Sequence, residues 1–237
     1  HTRAVNGNAG SIELGRRSGQ VAEVDGDRVV DVGAGTGIAT RALAERGASV
    51  VAIDLGPAML ARATRRTPGL RAVVADGARL PMPDGSVDLL TFSQSWHWLD
   101  ASRRCDEAAR VLTAGGRWAA WWSHPFADGE PWFDTYWSTV EHACPGAHRD
   151  QRTTDWGATI DPACGLGMVD SSVLPWVRTV SVDSWMTDQA SHSYVAAMPP
   201  EPRKRLLADL RSILDGRFPG GAMAVRYETW MWIARRR

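Results

Sequence analysis

Residues 28–37 read RVVDVGAGTG. A short apolar run that passes without a gap into Gly33, Gly35 and Gly37 leaves few choices. It is a strand that turns at once into whatever follows. Glycine tolerates positive φ and lets a ligand reach the backbone, and a helix opening there would offer free N–H groups. A tight strand–helix turn with no ligand would use the same glycines. A dinucleotide fingerprint needs its third glycine at the sixth position, where this chain has Ile38.

The alternation continues. Ile38–Arg46 carries Ala39, Ala42 and Leu43 on one helical face and stops at Gly47. Ser49–Ile53 is a second buried strand ending in Asp54. Pro57 opens a second helix that ends near Thr67, a favoured first-turn position for proline. Leu70–Ala75 is a third strand ending in Asp76, and Val87–Phe92 a fourth. Asp100 is placed to cap a helix that ends at Gly115-Gly116, and Arg117–Trp122 is a fifth strand. Strands alternating with helices at short spacing predict an α/β fold, a mostly parallel sheet with helices on both faces.

The pattern changes after Ser123. Residues 124–170 are rich in Trp, His, Asp and Gly and show little periodicity. Val173–Val182 then reads as a sixth strand, Ser184–Met198 and Glu201–Gly216 as helices, and Tyr227–Ala234 as a last strand completing seven. The chain is expected to be a single domain over 1–237. A cofactor-binding half would cover about 20–123, an acceptor-binding insertion or lid with the sixth strand about 124–200, and the final helix and strand about 201–237. The first twenty residues read as irregular lead-in or a short helix, and the start at His1 suggests a processed or tagged beginning.

Composition narrows the classes of function. Lys+Arg and Asp+Glu are both 27, which argues against a dedicated nucleic-acid binder. No stretch approaches the roughly 18 apolar residues of a membrane span, and no signal peptide is visible. Cys105, Cys144 and Cys164 form no CxxC pair and no metal pattern, so reduced thiols in a cytoplasm are expected and no metal. Lys204 is the one lysine among the 27 basic residues, a bias that points first to a GC-rich bacterial genome. Twelve tryptophans exceed the ordinary needs of a core and suggest an aromatic-lined pocket.

Ligands of such sheets bind beyond the carboxyl ends of the strands, where the chain places its unusual residues. Asp54 is positioned to accept ribose hydroxyls, and Asp76, followed by Gly77, to accept from an adenine amine. A helix cap or a turn would use the same acids. Together, Asp31-Val-Gly-Ala-Gly-Thr-Gly37, Asp54, Ala75-Asp76-Gly77 and Val87–Phe92 resemble the class I S-adenosylmethionine-dependent methyltransferases, which have a Rossmann-like fold. The match runs from about Val29 to Trp122. Arg110–Trp118 is similar to the family's Leu-x-Pro-Gly-Gly turn, with Ala114 in place of the proline. Phe92–Asp100 (FSQSWHWLD) resembles the methyltransferase type 11 subgroup, which includes trans-aconitate methyltransferase and acts on small molecules.

The resemblance implies roles. Gly33, Ala34 and Gly35 would line the methionine part of S-adenosylmethionine, with Asp31 helping to hold its amino group. Asp54 would bind the ribose, Asp76 and Gly77 the adenine amine, and Leu55 and Met59 would flank the ring. Ser93 and Gln94 would lie at the methyl end. His97 is the candidate catalytic base, since its ordinary pKa lies near neutrality; a pocket wall is the competing reading. Trp96, Trp98, Trp122, His124, Trp185, His192 and Tyr194 are candidates to line the acceptor site, although packing would also explain Trp96, Trp98 and Trp185.

The expected activity is methyl transfer to a small molecule, leaving S-adenosylhomocysteine. The acceptor would be an aromatic, indole- or phenol-like bacterial secondary metabolite. A carboxylate O-methyltransferase of the trans-aconitate type and a noncatalytic cofactor-binding module are the alternatives. A nucleotide-linked dehydrogenase would lack its glycine at Ile38. A nucleic-acid methyltransferase would want Asn/Asp-Pro-Pro-aromatic where this chain has Ser93-Gln94-Ser95-Trp96. Either a monomer or a homodimer fits.

Overall fold

In the computed structural model, residues 23–127, 129–146 and 154–237 are described; the predicted lead-in lies outside them. Strand β1 (Arg28–Val32) runs into helix α1 (Ile38–Ala44), then β2 (Ser49–Asp54), α2 (Pro57–Arg66), β3 (Arg71–Val74) and β4 (Val87–Ser93). Helix α3 (Arg104–Val111) leads directly into β5 (Leu112–Pro125). After them come α4 (Pro131–Ala143), β6 (Leu166–Ser181), α5 (Val182–Ser191), α6 (Ser193–Ala196), α7 (Pro200–Arg217) and β7 (Ala222–Arg236).

The seven strands form one sheet in the order β3-β2-β1-β4-β5-β7-β6. β1 pairs in parallel with β2 and β4, β2 with β3, and β4 with β5. β7 runs the other way. Its contacts with β5 step backward as β5 advances, from Ser123–Thr229 to Phe126–Arg226. The α/β, seven-stranded, mostly parallel expectation is what the structure shows.

Strand alternation builds two cores in the first part of the chain. Val30, Val32, Leu90, Phe92, Trp118, Ala120, Trp122 and Trp232 face one side, where Cys105, Ala108 and Val111 of α3 cover them. Val29, Leu89, Ala119, Trp121, Met231 and Ile233 face the other, under Ala39 and Leu43 of α1. Successive residues of a strand point to opposite faces, so α1 and α3 lie on opposite sides. Strands buried on both faces read as continuous apolar runs, which is why this region is plain in the sequence.

The chain divides into two compact units. Of the described residues, the first comprises 23–123, 155–174 and 229–237, the second 124–127, 129–146, 154 and 175–228. The second has its own core, in which Trp132, Tyr136 and Val140 of α4 pack with Trp185 of α5 and Leu206, Leu210 and Leu214 of α7. Among the described residues, no helix is long and apolar enough to cross a membrane.

Some elements differ from expectation. Asp100 does not cap α3, which begins four residues later; its carboxylate accepts from the backbone and hydroxyl of Ser102 and so closes the preceding turn. Gly115 and Gly116 do not end the helix. They lie in a bulge inside β5, where Val87 faces Leu112 and Leu89 already faces Arg117. β6 starts at Leu166, well before Val173, and the single helix expected over 184–198 is two, broken at His192. Helix α4 was not expected at all, although its buried Trp132, Phe133, Tyr136 and Val140 have helical spacing.

Candidate active site

The site is built on the strand ends of the first unit. The N–H groups of Gly33 and Ala34 both donate to the carbonyl of Ile53, at 2.8 and 3.0 Å. This stitches the glycine loop to the end of β2. Gly33 has φ +70°, and a Cβ there would come within 2.3 Å of the Cβ of Ser95. Gly35 has φ +56°, but a Cβ there would meet nothing within 4 Å. One glycine is needed for packing, while the other leaves open space above the backbone.

Asp54 ties two loops together. Its Oδ2 accepts from the N–H of Gly35 at 2.8 Å, and its Oδ1 from the N–H of Gly56 at 2.7 Å. A carboxylate oxygen has about two lone pairs, so each keeps acceptor capacity for a ligand hydroxyl. Beside it, Leu55 and Met59 are 70% and 42% exposed. Large apolar side chains left in water next to a part-buried acid are what a flat nucleoside base would cover. Asp76 is exposed, and its Oδ1 accepts from Ala78 N–H at 2.9 Å. Gly77 is pressed against Val32, where a Cβ would approach to 2.4 Å.

Asp31 is fully buried. The hydroxyls of Thr40 and Thr91 donate to its two oxygens at 2.6 and 3.0 Å. Burial pushes its pKa up to about 6 against the pull of those threonine bonds, and the charge of Asp54 adds slightly. Asp31 therefore lies beneath the loop rather than on its surface.

Past β4, Ser93 is partly exposed and Gln94 exposed. Gln94 has φ +56°, the one non-glycine positive φ among the described residues. Such a conformation is strained for a residue with a Cβ and is a frequent mark of functional loops. Ser95 then returns inward, its hydroxyl donating to the carbonyl of Val32 at 2.5 Å.

Trp96–Trp98 forms a single 3₁₀ turn. It sends the two tryptophans to opposite fates. Trp96 is wholly buried against Phe92 and Trp118, and its indole N–H donates to Thr159. Trp98 is 73% exposed. His97 sits between rings, with centroids 4.6 Å from Trp98, 5.9 Å from Trp122 and 5.7 Å from Trp156. Trp122 and Trp156 stack at 4.7 Å. Burial, then the nearby positive charge of Arg104, pushes the His97 pKa down to about 4. At neutral pH the imidazole is uncharged.

The structure thus gathers His97, Trp98 and Trp122 in the first unit, and places Trp96 in its core. The other candidates lie in the second unit. Trp185 is buried there and its indole N–H donates to Tyr136 at 3.0 Å. His192 stacks on Tyr194, whose hydroxyl accepts from Gln189, and burial lowers the His192 pKa. His124 stands near the end of β5. Sequence reasoning missed Trp156, Ser95, Arg104 and the two threonines around Asp31. Thr91 and Ser95 lie inside the motifs read from the sequence, while Thr40, Arg104 and Trp156 lie outside them and only folding brings them in.

Part of the chain is similar to known methyltransferases. Residues 30–120 match a protein family described as "Methyltransferase domain". An uncharacterised methyltransferase of Mycobacterium tuberculosis (strain H37Rv), Rv3342, is 40% identical over 120 residues, covering 48% of this chain and 49% of that protein. The chain thus matches about half the length of this curated relative. A structure assigned as a type II methyltransferase from Anaeromyxobacter dehalogenans superimposes with a TM-score of 0.72 at 23% identity, covering 95% of each chain. An S-adenosylmethionine-dependent methyltransferase from Mesorhizobium loti gives 0.55 at 24% identity, over 97% of this chain and all of that one. The glycine loop, Asp54 and Asp76 fall inside the matched segment, so residues 30–120 match a methyltransferase domain and are similar to the class I S-adenosylmethionine-dependent methyltransferases.

Proposed function

We propose that this protein transfers a methyl group from S-adenosylmethionine to a small-molecule acceptor seated beside the end of β4. The observation that carries the reading is Asp54. It stands at the tip of β2 with spare acceptor capacity, flanked by the exposed Leu55 and Met59 and by the open space above Gly35. The donor supplies a sulfonium leaving group and with it the hard part of the chemistry.

The residues of the chain do the rest. Gly33, Ala34 and Gly35 let the backbone approach the methionine portion. Asp54 accepts from the ribose hydroxyls, Leu55 and Met59 cover the base, and Asp76 with Gly77 meets its amine. Asp31, ionised at neutral pH, puts negative charge beneath the amino group. Ser93 and Gln94 border the methyl group. The exposed Trp98 gives the acceptor a flat surface to lie on, which favours an aromatic acceptor. Holding it in line with the methyl–sulfur bond contributes up to roughly 7–11 kcal/mol in ideal cases. The acceptor's electron pair forms the new bond to the methyl carbon as the carbon–sulfur bond breaks. Where the acceptor carries a proton, the neutral His97 takes it, an effect worth ~10²–10⁴-fold.

Calorimetric titration with S-adenosylmethionine and, separately, NADH tests the donor. Micromolar binding of the first alone is expected, and binding of NADH alone would overturn the reading. A panel of indoles, phenols and aliphatic acids, followed by S-adenosylhomocysteine formation, then tests the acceptor. Turnover confined to aliphatic acids would refute the aromatic assignment.

A further inference from the structure

Arg104 opens helix α3, yet its side chain is largely withdrawn from water, unlike the usual arginine at a helix start. It is 8% exposed. Its Nη1 donates to the carbonyl of Trp96 at 3.0 Å and its guanidinium lies 4.7 Å over the Trp96 ring. Its Nε is buried and has no hydrogen-bond partner. Two neighbouring acids are engaged elsewhere. Asp100 holds Ser102 and lies near Arg103, and Glu107 is paired with Arg110 at 2.7 Å. Among the described residues no carboxylate pairs with Arg104.

A buried charge without a counter-charge is costly, and such groups are normally paired. The same core holds further buried polar atoms without a partner. The indole N–H groups of Trp122 and Trp156 are buried and unpartnered, and so is Nδ1 of His97. These three rings contact one another. The chain continues from them to Arg104 through Thr159, which accepts from the Trp96 indole and donates to the Trp156 carbonyl. Orphaned buried donors call for an explanation. Here the donors are several, one is a cation, and the one potential acceptor among them is a single imidazole nitrogen. What is missing is an anion with more than one oxygen, attached to something flat enough to lie among indoles.

We propose that the acceptor is a carboxylate-bearing aromatic compound and that Arg104 is the specificity residue that receives its carboxylate, with His97, Trp122 and Trp156 as the donors and faces around it. Charge-assisted hydrogen bonds are about twice as strong as neutral ones, and the guanidinium's planar fork suits a carboxylate better than an ammonium would. The proposal rests on the methyl-transfer reading for what is done to the acid, but not for its binding.

The test uses the whole protein saturated with S-adenosylhomocysteine. Thermal melting and intrinsic tryptophan fluorescence are followed with benzoate and indole-3-acetate, with the neutral benzamide and indole-3-acetamide, and with sodium chloride at matched ionic strength. The acids are expected to raise the melting temperature saturably, at concentrations at least about tenfold lower than the amides. Arg104→Gln should reduce that preference to less than about threefold, and Arg104→Lys should restore part of it, which a purely structural role would not do. Arg104→Met is expected to melt no lower than the parent without ligand, since it removes an unpaired buried charge. Acids acting no better than amides or chloride, or an Arg104→Gln protein that still prefers acids, would overturn the proposal. Calorimetry with S-adenosylhomocysteine alone separates the two ideas. Acid preference without nucleoside binding sinks the methyl-transfer reading and leaves the anion site; nucleoside binding without acid preference does the reverse.

Discussion

The side chain of Ser95 occupies the place that a Cβ on residue 33 would need, 2.3 Å from it, while its hydroxyl holds the carbonyl of Val32. The loops after β1 and β4 are thereby locked face to face. Gly33→Ala is expected to combine this clash with a left-handed φ, destabilising the fold by about 1–3 kcal/mol and weakening S-adenosylhomocysteine binding. Ser95→Gly should relieve the steric part. In a double-mutant cycle measured by urea unfolding, the pair should lose less than the sum of the singles.

Asp54 spends one lone pair of each oxygen on the backbone and keeps the rest. Asp54→Ala should cost about 1.5–3 kcal/mol of cofactor affinity, the range for hydrogen bonds to a charged group. Asp54→Asn keeps one acceptor oxygen and should fall between. An unchanged calorimetric dissociation constant in Asp54→Ala would remove Asp54 from the site.

Asp31 and His97 pull the pH dependence of stability in opposite directions. The folded chain keeps the Asp31 proton up to about pH 6, whereas an ordinary Asp loses it near 3.8. The folded state therefore binds more protons between those values, and its stability falls as pH rises through them. Asp31→Asn should remove a cost on the order of 3 kcal/mol that is fully present above about pH 6. His97 is the reverse case. Its folded pKa of about 4 lies below the ordinary 6.5, so its contribution is intact above 6.5 and lost as pH falls toward 4. Urea melts at pH 4, 6 and 8 should show Asp31→Asn gaining most at pH 8, and His97→Gln losing the acid-side decline.

The same values bear on function. If the Asp31 charge supports the cofactor's amino group, S-adenosylhomocysteine affinity should drop between pH 7 and pH 5, and Asp31→Asn should flatten that slope. If His97 is the base, the acid limb of the rate profile should lie near pH 4 and not near 6.5.

Trp96 and Trp98, two residues apart, should separate stability from activity. Trp96→Ala empties a space between Phe92 and Trp118 and strands Thr159, at a cost of about 3–5 kcal/mol. Trp98→Ala, at an exposed ring, should change stability by no more than about 0.5 kcal/mol while lowering turnover. Equal losses of stability in both would contradict this division.

The first half of the chain was legible because parallel strands buried on both faces advertise themselves as apolar runs, and short loops pin Gly33, Asp54, Asp76 and Ser93 to strand ends. The register of α3 was less legible, since an Asx turn at Asp100 looks like a helix cap in sequence. Helix α4 was hidden by its polar spacers, though the buried face had the right period. Within the site, nothing local distinguishes Trp96 from Trp98; the 3₁₀ turn decides which ring goes inward. Thr91 meets Asp31 from 60 residues away, and Trp156 meets His97 from 59. Such partners are set by topology and leave no mark in spacing.

β7 stands between β5 and β6 in the sheet, so β6 has no other strand to pair with. On the ribosome this orders assembly. β6 is synthesised more than 40 residues before the strand that holds it, and Met231, Trp232, Ile233 and Ala234 complete two cores whose other members emerge far earlier. Non-local pairing of this kind slows folding and lengthens the exposure of strand edges. A nascent chain stalled before β7 is expected to be an aggregation-prone intermediate and a preferred client of chaperones, whatever its acceptor turns out to be.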